Sequence, residues 1–435
     1  MRRATDLVPP QRTAAALRGQ TLCVTSLRRV ELAAFLVTGV GTILVASDQG
    51  GFFSRSWPWA GIYFAAVGAF ALLAPVELRV NGAALILISA TGALSGWTAL
   101  SWFWSSEPAT SLHEALRTPI YLAAAVAFVT LAAAGGSRGL LAGVAAGSTA
   151  IAAYSLVDRV VNGPHLADRQ SRLLEAPIGY ANALGALCAI GLVVVVALGV
   201  TTRKRAPAAL CAVSAAVLLT ALALTNSRGS DAAVVAGAVV AVAAGAGGRR
   251  WGGRAALTVA LLFSALFGIT AFGTIDRLQA RGDYWHAAWQ VAVRHPLAGT
   301  GAGTFDLAWA AYGDLAQWGG ALDAHNLYLE TLSELGLVGL VLVAALLAPV
   351  VAALRTPRPS ATTTAALAGA VTYLVHAGLD WDWEMPAVTV LGIACLAAIL
   401  DVRQPAWTIR PWLRFTLFGV EAATILGYVV YLSVY

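Results

Sequence analysis

Long apolar runs separated by short polar clusters set the pattern of this chain. Thirteen such runs can be drawn, near 31–47, 57–76, 82–103, 119–134, 139–157, 178–200, 207–225, 231–247, 255–274, 333–354, 361–379, 386–400 and 415–434. Most approach or exceed the roughly 18–20 residues with which a helix crosses a bilayer core. The predicted fold class is therefore all-α: a polytopic integral membrane protein with about 12–13 transmembrane helices. The pattern breaks once at length, across 275–332, where polar and aromatic residues replace the apolar run.

Composition agrees with this reading. Of 435 residues, 59% are hydrophobic and 11% charged, against roughly 25% charged in an ordinary globular domain, which excludes a soluble protein. Cys23, Cys188, Cys211 and Cys395 stand singly, without metal-ligand spacing, and read as small core residues. Residues 1–28 are basic but lack an apolar core and cleavage site, so they are expected to form a cytoplasmic tail, with 29–435 a single transmembrane domain. With the N-terminus inside, 19 of the 28 Lys and Arg but only 4 of the 22 carboxylates fall on the cytoplasmic side. This is the positive-inside bias, and it explains the net charge of +6 without nucleic acid as a partner. The same frame turns 104–118, 158–177, 275–332 and 380–385 outward, and makes 275–332 the one large extracytoplasmic loop.

The candidate chemistry collects on that outward side. In RGDYWHAAWQVA from Arg281, the residues Arg281, Trp285, Trp289 and Ala292 recur at helical spacing. This suggests a helix along the membrane surface, either an interfacial anchor or a platform with a guanidinium at headgroup level, where its fork matches phosphate oxygens. Gly299, Gly301 and Gly303 in HPLAGTGAGTF read as a tight turn that could offer backbone N–H groups to an anion; without a preceding strand or a GK[ST] they are no nucleotide loop. Asp323 is the expected N-cap of the next span, which places His325 in its first turn, where a helix N-terminus favours the neutral imidazole that a general base requires. A structural role for His325 stays open. Arg228, in TNSRGSD, either pairs with Asp231 or meets a lipid-borne phosphate. Asp380 and Asp382, alternating with Trp381 and Trp383, form a D-x-D that is either a metal site or an interfacial cap.

Together, S-R-G at 227–229, R-G-D-Y-W-x-x-A-x-x-x-x-x-x-H-P-L-x-G-T-G-x-G-T-F from Arg281 and A-H-N-L-Y-L-E-T-L-S-E-L-G-L-V-G-L from Ala324 resemble the bacterial O-antigen ligase and Wzy-type polymerase superfamily. The G-Y-x-N-x-L-G-A segment from Gly179 and the H-x-G-L-D-W-D-W-E-M-P turn from His376 extend the likeness to roughly 178–400; residues before it match only in hydropathy. The resemblance implies a GT-C-like membrane fold and glycan transfer outside the bacterial cytoplasmic membrane. It further implies an undecaprenyl-diphosphate-linked donor, a glycan, lipid or protein acceptor, inversion at the anomeric carbon, and no metal or other cofactor. It gives Arg228 and Arg281 the donor diphosphate and His325 the role of base; Trp285, Asp323 and Asn326 are neighbouring candidates for substrate contact. Thirteen segments exceed the twelve spans usual in such ligases, and the motifs do not separate ligases from polymerases or protein O-oligosaccharyltransferases.

Two other classes compete. A transporter would place its polar residues near the midplane, and here Glu421 is the intramembrane candidate. A scaffold would tolerate replacement of His325 and Arg281.

Overall fold

A computed structural model of the chain describes residues 14–163, 173–245, 275–356, 359–399 and 406–434. Helices make up nearly all of it: α1 (Ala14–Ser47), α2 (Trp57–Leu73), α3 (Gly82–Ser101), α4 (Pro108–Arg117), α5 (Pro119–Leu131), α6 (Ser137–Asn162), α7 (Ala181–Gly199), α8 (Arg205–Thr225), α9 (Arg228–Gly245), α10 (Ile275–Arg294), α11 (Phe305–Tyr312), α12 (Leu315–Trp318), α13 (Leu327–Ala345), α14 (Ala348–Leu354), α15 (Ala361–Ala377), α16 (Pro386–Ala398) and α17 (Pro411–Val434). The strands among the described residues are the two-residue β1 (Arg79–Val80) and β2 (Trp407–Thr408), which pair antiparallel. Among the described residues, seven helical stretches are long and apolar enough to cross a membrane, and α2 and α16 are shorter apolar helices. The protein is thus an all-α polytopic membrane protein. Twelve of the thirteen apolar segments carry helix; the one expected at 255–274 lies outside the described residues. The helix α1 starts at Ala14, inside the stretch expected as a tail, so the described part of 1–28 is helical and continuous with the first apolar segment.

Small residues bring helices into contact where lipid supplies no hydrophobic drive between them. Gly139, Gly143 and Gly147 form a stripe on α6 against α1, and a Cβ on Gly139 would overlap the Glu31 carbonyl. Arg414 on α17 donates to the Leu72 and Val76 carbonyls at distances of 2.8 and 3.1 Å, satisfying orphan acceptors at the end of α2.

The helix α13 is broken at Gly336, whose φ of 67° and ψ of −166° lie outside the helical region. The segment 296–301 docks into the break. Gly301 N–H donates to the Glu334 carbonyl at 2.9 Å, and Leu337 N–H donates to the Pro296 carbonyl at 2.8 Å. An interrupted helix can exist at membrane depth only when its freed backbone groups are satisfied by protein, and here the 275–326 region satisfies them. That region is therefore built into the bundle. At the same end the polar turns bind one another: Asn326 Nδ2 donates to the Gly378 carbonyl at 2.9 Å, Tyr121 OH to the Glu384 carbonyl at 2.9 Å, and Ser111 Oγ to the Ala302 carbonyl at 2.6 Å.

Candidate functional site

Asn326, and not Asp323, caps α13: its Oδ1 accepts from Tyr328 N–H and Leu329 N–H, both at 3.0 Å. The expected cap was one helical turn too early because Asp and Asn are both good N-caps, and the sequence offers both within four residues. His325 therefore lies just outside the helix and adopts a left-handed φ of 54°, a strained conformation for a side chain other than Gly. The twist lets His325 Nδ1 approach the Asp323 carbonyl oxygen at 3.2 Å. A carbonyl only accepts, so Nδ1 carries the hydrogen in this bond and Nε2 is left as the basic nitrogen. The imidazole stacks on Tyr284, with ring centroids 5.2 Å apart. Burial pushes His325 below the usual imidazole value, against the pull of Asp380.

Tyr284 follows Arg281 by three residues on α10, so the ring beneath His325 and the guanidinium share one side of that helix. Arg281 Nη2 donates to Asp380 Oδ2 at 2.7 Å, with Arg281 20% and Asp380 1% exposed. Asp380 also accepts from Asn182 Nδ2 at 2.6 Å, Tyr180 OH at 2.9 Å and its neighbour Trp381 N–H at 3.0 Å. A buried carboxylate that accepts from four donors holds its arginine in one orientation. Only part of the Arg281 fork is used, since Nε makes no hydrogen bond. Trp285, the next residue after Tyr284, likewise has a buried Nε1–H with no acceptor. Of the stripe of Arg281, Trp285, Trp289 and Ala292, Ala292 is buried beside Ala287, Ala288 and Val291, and Trp289 is half-exposed.

Arg228 opens α9 beside a second buried pair. His376 Nε2 and Asp382 Oδ2 are 2.8 Å apart, and Ser230 Oγ is 3.4 Å from His376 Nδ1. Asp231 follows Arg228 by three residues, one turn along α9. The D-x-D does not converge on one point: Asp380 turns to Arg281 and Asp382 to His376. Sequence reasoning missed Asp380 as the holder of Arg281 and the His376–Asp382 pair, because a carboxylate in a short turn carries no mark of the distant cation it meets.

The glycine turn is confirmed as a turn, with φ of 67°, 109° and 72° at Gly299, Gly301 and Gly303. Its backbone donors are met by the protein's own side chain: Glu334 accepts from Gly303 N–H at 2.8 Å and Phe305 N–H at 3.0 Å. Nearby, Asp323, Glu330 and Glu384 bring carboxylate oxygens within 4.8 Å of one another, the spacing of a possible cation site. Arg117 already supplies positive charge there, 2.9 Å from Glu384. Burial, then the Glu384 carboxylate, holds Asp323 well above the usual carboxylate range.

Residues 213–344 match the model of the O-antigen ligase family. The match contains Arg228, Arg281, Trp285, Asp323, His325 and Asn326, and it supports the O-antigen ligase/Wzy superfamily and glycan transfer of the ligase or polymerase type. No curated protein matches the chain.

Proposed function

We propose that this protein transfers a glycan from an undecaprenyl-diphosphate-linked donor to an acceptor hydroxyl, in the manner of an O-antigen ligase, at the extracytoplasmic face of the bacterial cytoplasmic membrane. The observation that carries the reading is the placement of His325: its Nδ1 is engaged by a carbonyl, and its ring rests on Tyr284, three residues along α10 from Arg281. A base and a phosphate ligand thus share one wall.

In the proposed reaction the acceptor oxygen attacks the anomeric carbon from the face opposite the diphosphate, and the configuration inverts. The acceptor proton passes to His325 Nε2. The bond from the anomeric carbon to the phosphate oxygen breaks, and its electron pair leaves on undecaprenyl diphosphate. Arg281, through Nε and the part of its fork that Asp380 does not use, and Arg228 stabilise the charge that develops there. Asn326 acts as a positioning residue, since its amide is spent on the α13 cap and on Gly378. Trp285 offers its indole N–H to the sugar, and Asp323 contributes its backbone carbonyl to His325.

The test supplies purified protein with an undecaprenyl-diphosphate glycan and separate glycan, lipid and protein acceptors, and identifies products by mass spectrometry. One glycosylated acceptor with inverted linkage is expected. Chain extension of the donor itself would make the protein a polymerase, and uptake of a solute into vesicles without transfer would make it a transporter.

A further inference from the structure

The turn that reverses the chain between α8 and α9 is packed from two sides. Asn226 takes a left-handed φ of 53°. Of the residues that follow, Ser227, Gly229, Ser230 and Asp231 are buried, and Arg228 between them is partly exposed. A Cβ on Gly185 of α7 would lie 2.7 Å from Ser230 Oγ and 2.8 Å from Ser227 Cβ, and a Cβ on Gly229 would lie 3.4 Å from the His376 ring. The polar atoms of the turn continue into that ring. Ser227 Oγ and Ser230 Oγ are 2.8 Å apart, Ser230 Oγ is 3.4 Å from His376 Nδ1, and His376 Nε2 is 2.8 Å from Asp382 Oδ2. A chain of side-chain contacts thus runs from Asp382 to the residues on either side of Arg228.

Ser230, His376 and Asp382 follow the order of a nucleophilic triad. Ser230 and Asp382 are 0% exposed and His376 1%, so no substrate carbon reaches Ser230 Oγ, and what the set can do is hold the turn. Its far end lies beside the other arginine. Asp382 is two residues from Asp380, which pairs with Arg281, and two residues extend at most about 7 Å. One short turn therefore anchors both arginine-bearing elements, Arg281 directly and Arg228 by way of His376 and the serines. The start of α7 backs both arms: Asn182 donates to Asp380 at 2.6 Å, and Gly185 seats the serines. Two guanidiniums can meet neighbouring phosphoryl groups together only if their separation is fixed by the groups behind them.

We propose that His376 is a positioning residue for Arg228, and that the 380–382 turn sets the spacing of Arg228 and Arg281 for the two phosphoryl groups of one diphosphate. This rests on the reading of both arginines as diphosphate ligands. The test measures binding of radiolabelled undecaprenyl diphosphate to the full chain in phosphatidylcholine nanodiscs, so no transfer is needed. His376→Gln, whose amide can reach Asp382 but not Ser230, should weaken binding about tenfold, within the range of coupled neighbours. The loss should persist beside Arg281→Ala and fall below about twofold beside Arg228→Ala, where nothing is left to position. Asp380→Asn should give the mirror pattern, persisting beside Arg228→Ala and vanishing beside Arg281→Ala. Ser230→Ala leaves the His376–Asp382 pair intact and should weaken binding about threefold with the same dependence on Arg228, which keeps the proposal testable if His376→Gln fails to fold. Losses that are equal with and without Arg228, or no loss in either variant, would make the network merely structural and overturn this proposal alone. No binding by the unaltered protein, or unchanged binding by Arg228→Ala, would sink the diphosphate reading and this inference with it. Coupled binding without transfer would sink only the proposed reaction.

Discussion

Replacing Asp380 by Asn tests whether the Arg281 orientation matters, because it changes charge and almost nothing in shape. Asp380 accepts four hydrogen bonds, two on each oxygen, from Arg281, Asn182, Tyr180 and Trp381. An asparagine keeps one oxygen and can retain the bonds from Tyr180 and Trp381. Its amide group then faces the donors of Asn182 and Arg281, and two acceptor positions become donor–donor contacts. Removing one partner of a buried ion pair costs about 3–5 kcal/mol. Arg281 is 20% exposed, so water recovers part of this, and about 2–3 kcal/mol is the expected loss. If it falls on the transition state, roughly 30- to 150-fold in kcat/KM for the donor should disappear. Steady-state transfer with a fluorescent lipid-linked glycan, alongside a melting curve in detergent, separates this loss from unfolding. A variant that melts normally and transfers within twofold of the unaltered protein would refute the idea that Asp380 holds a working arginine.

Other substitutions probe neighbouring parts of the account. Arg281→Lys, which keeps the charge but not the fork, should lower kcat/KM at least tenfold, measured in the same assay. Transfer should persist as pH falls to about 6.5 and decline only below it, because the neutral imidazole is the active form and burial holds His325 below the usual value; a midpoint above pH 7 would contradict the base assignment. Asp323→Asn should change rate by less than about threefold, since its carboxyl is pushed towards the neutral form and its backbone carbonyl makes the contact with His325. Glu334→Gln loses one of two acceptors for the 303–305 backbone and should destabilise by about 1–3 kcal/mol, seen as a lower melting temperature with the α13 break loosened.

The helices were readable in advance because each apolar run long enough to span a membrane had one economical way to satisfy its backbone. The site was readable only in part. Arg281 and His325 stood out through the motifs of the one long polar stretch, 275–332, and the structure stacks His325 on Tyr284, one turn along α10 from Arg281. The cap moved from Asp323 to Asn326 because either residue type fits the pattern, and only the left-handed turn at His325 decides between them. The break at Gly336 was hidden inside LGLVGL, where a glycine in an apolar run looks like a packing residue. Glu334 as the acceptor for the glycine turn, and Asp380 as the anchor for Arg281, depend on contacts across 31 and 99 residues, which no local pattern encodes.

The most direct test of the central claim compares the unaltered protein with His325→Ala, each reconstituted with an undecaprenyl-diphosphate glycan and its acceptor. The unaltered protein should give inverted, acceptor-linked product with release of undecaprenyl diphosphate. His325→Ala should fold, melt normally and bind donor, yet transfer roughly 10²- to 10⁴-fold more slowly. Full transfer by His325→Ala would show that the acceptor proton goes elsewhere and that this histidine is structural.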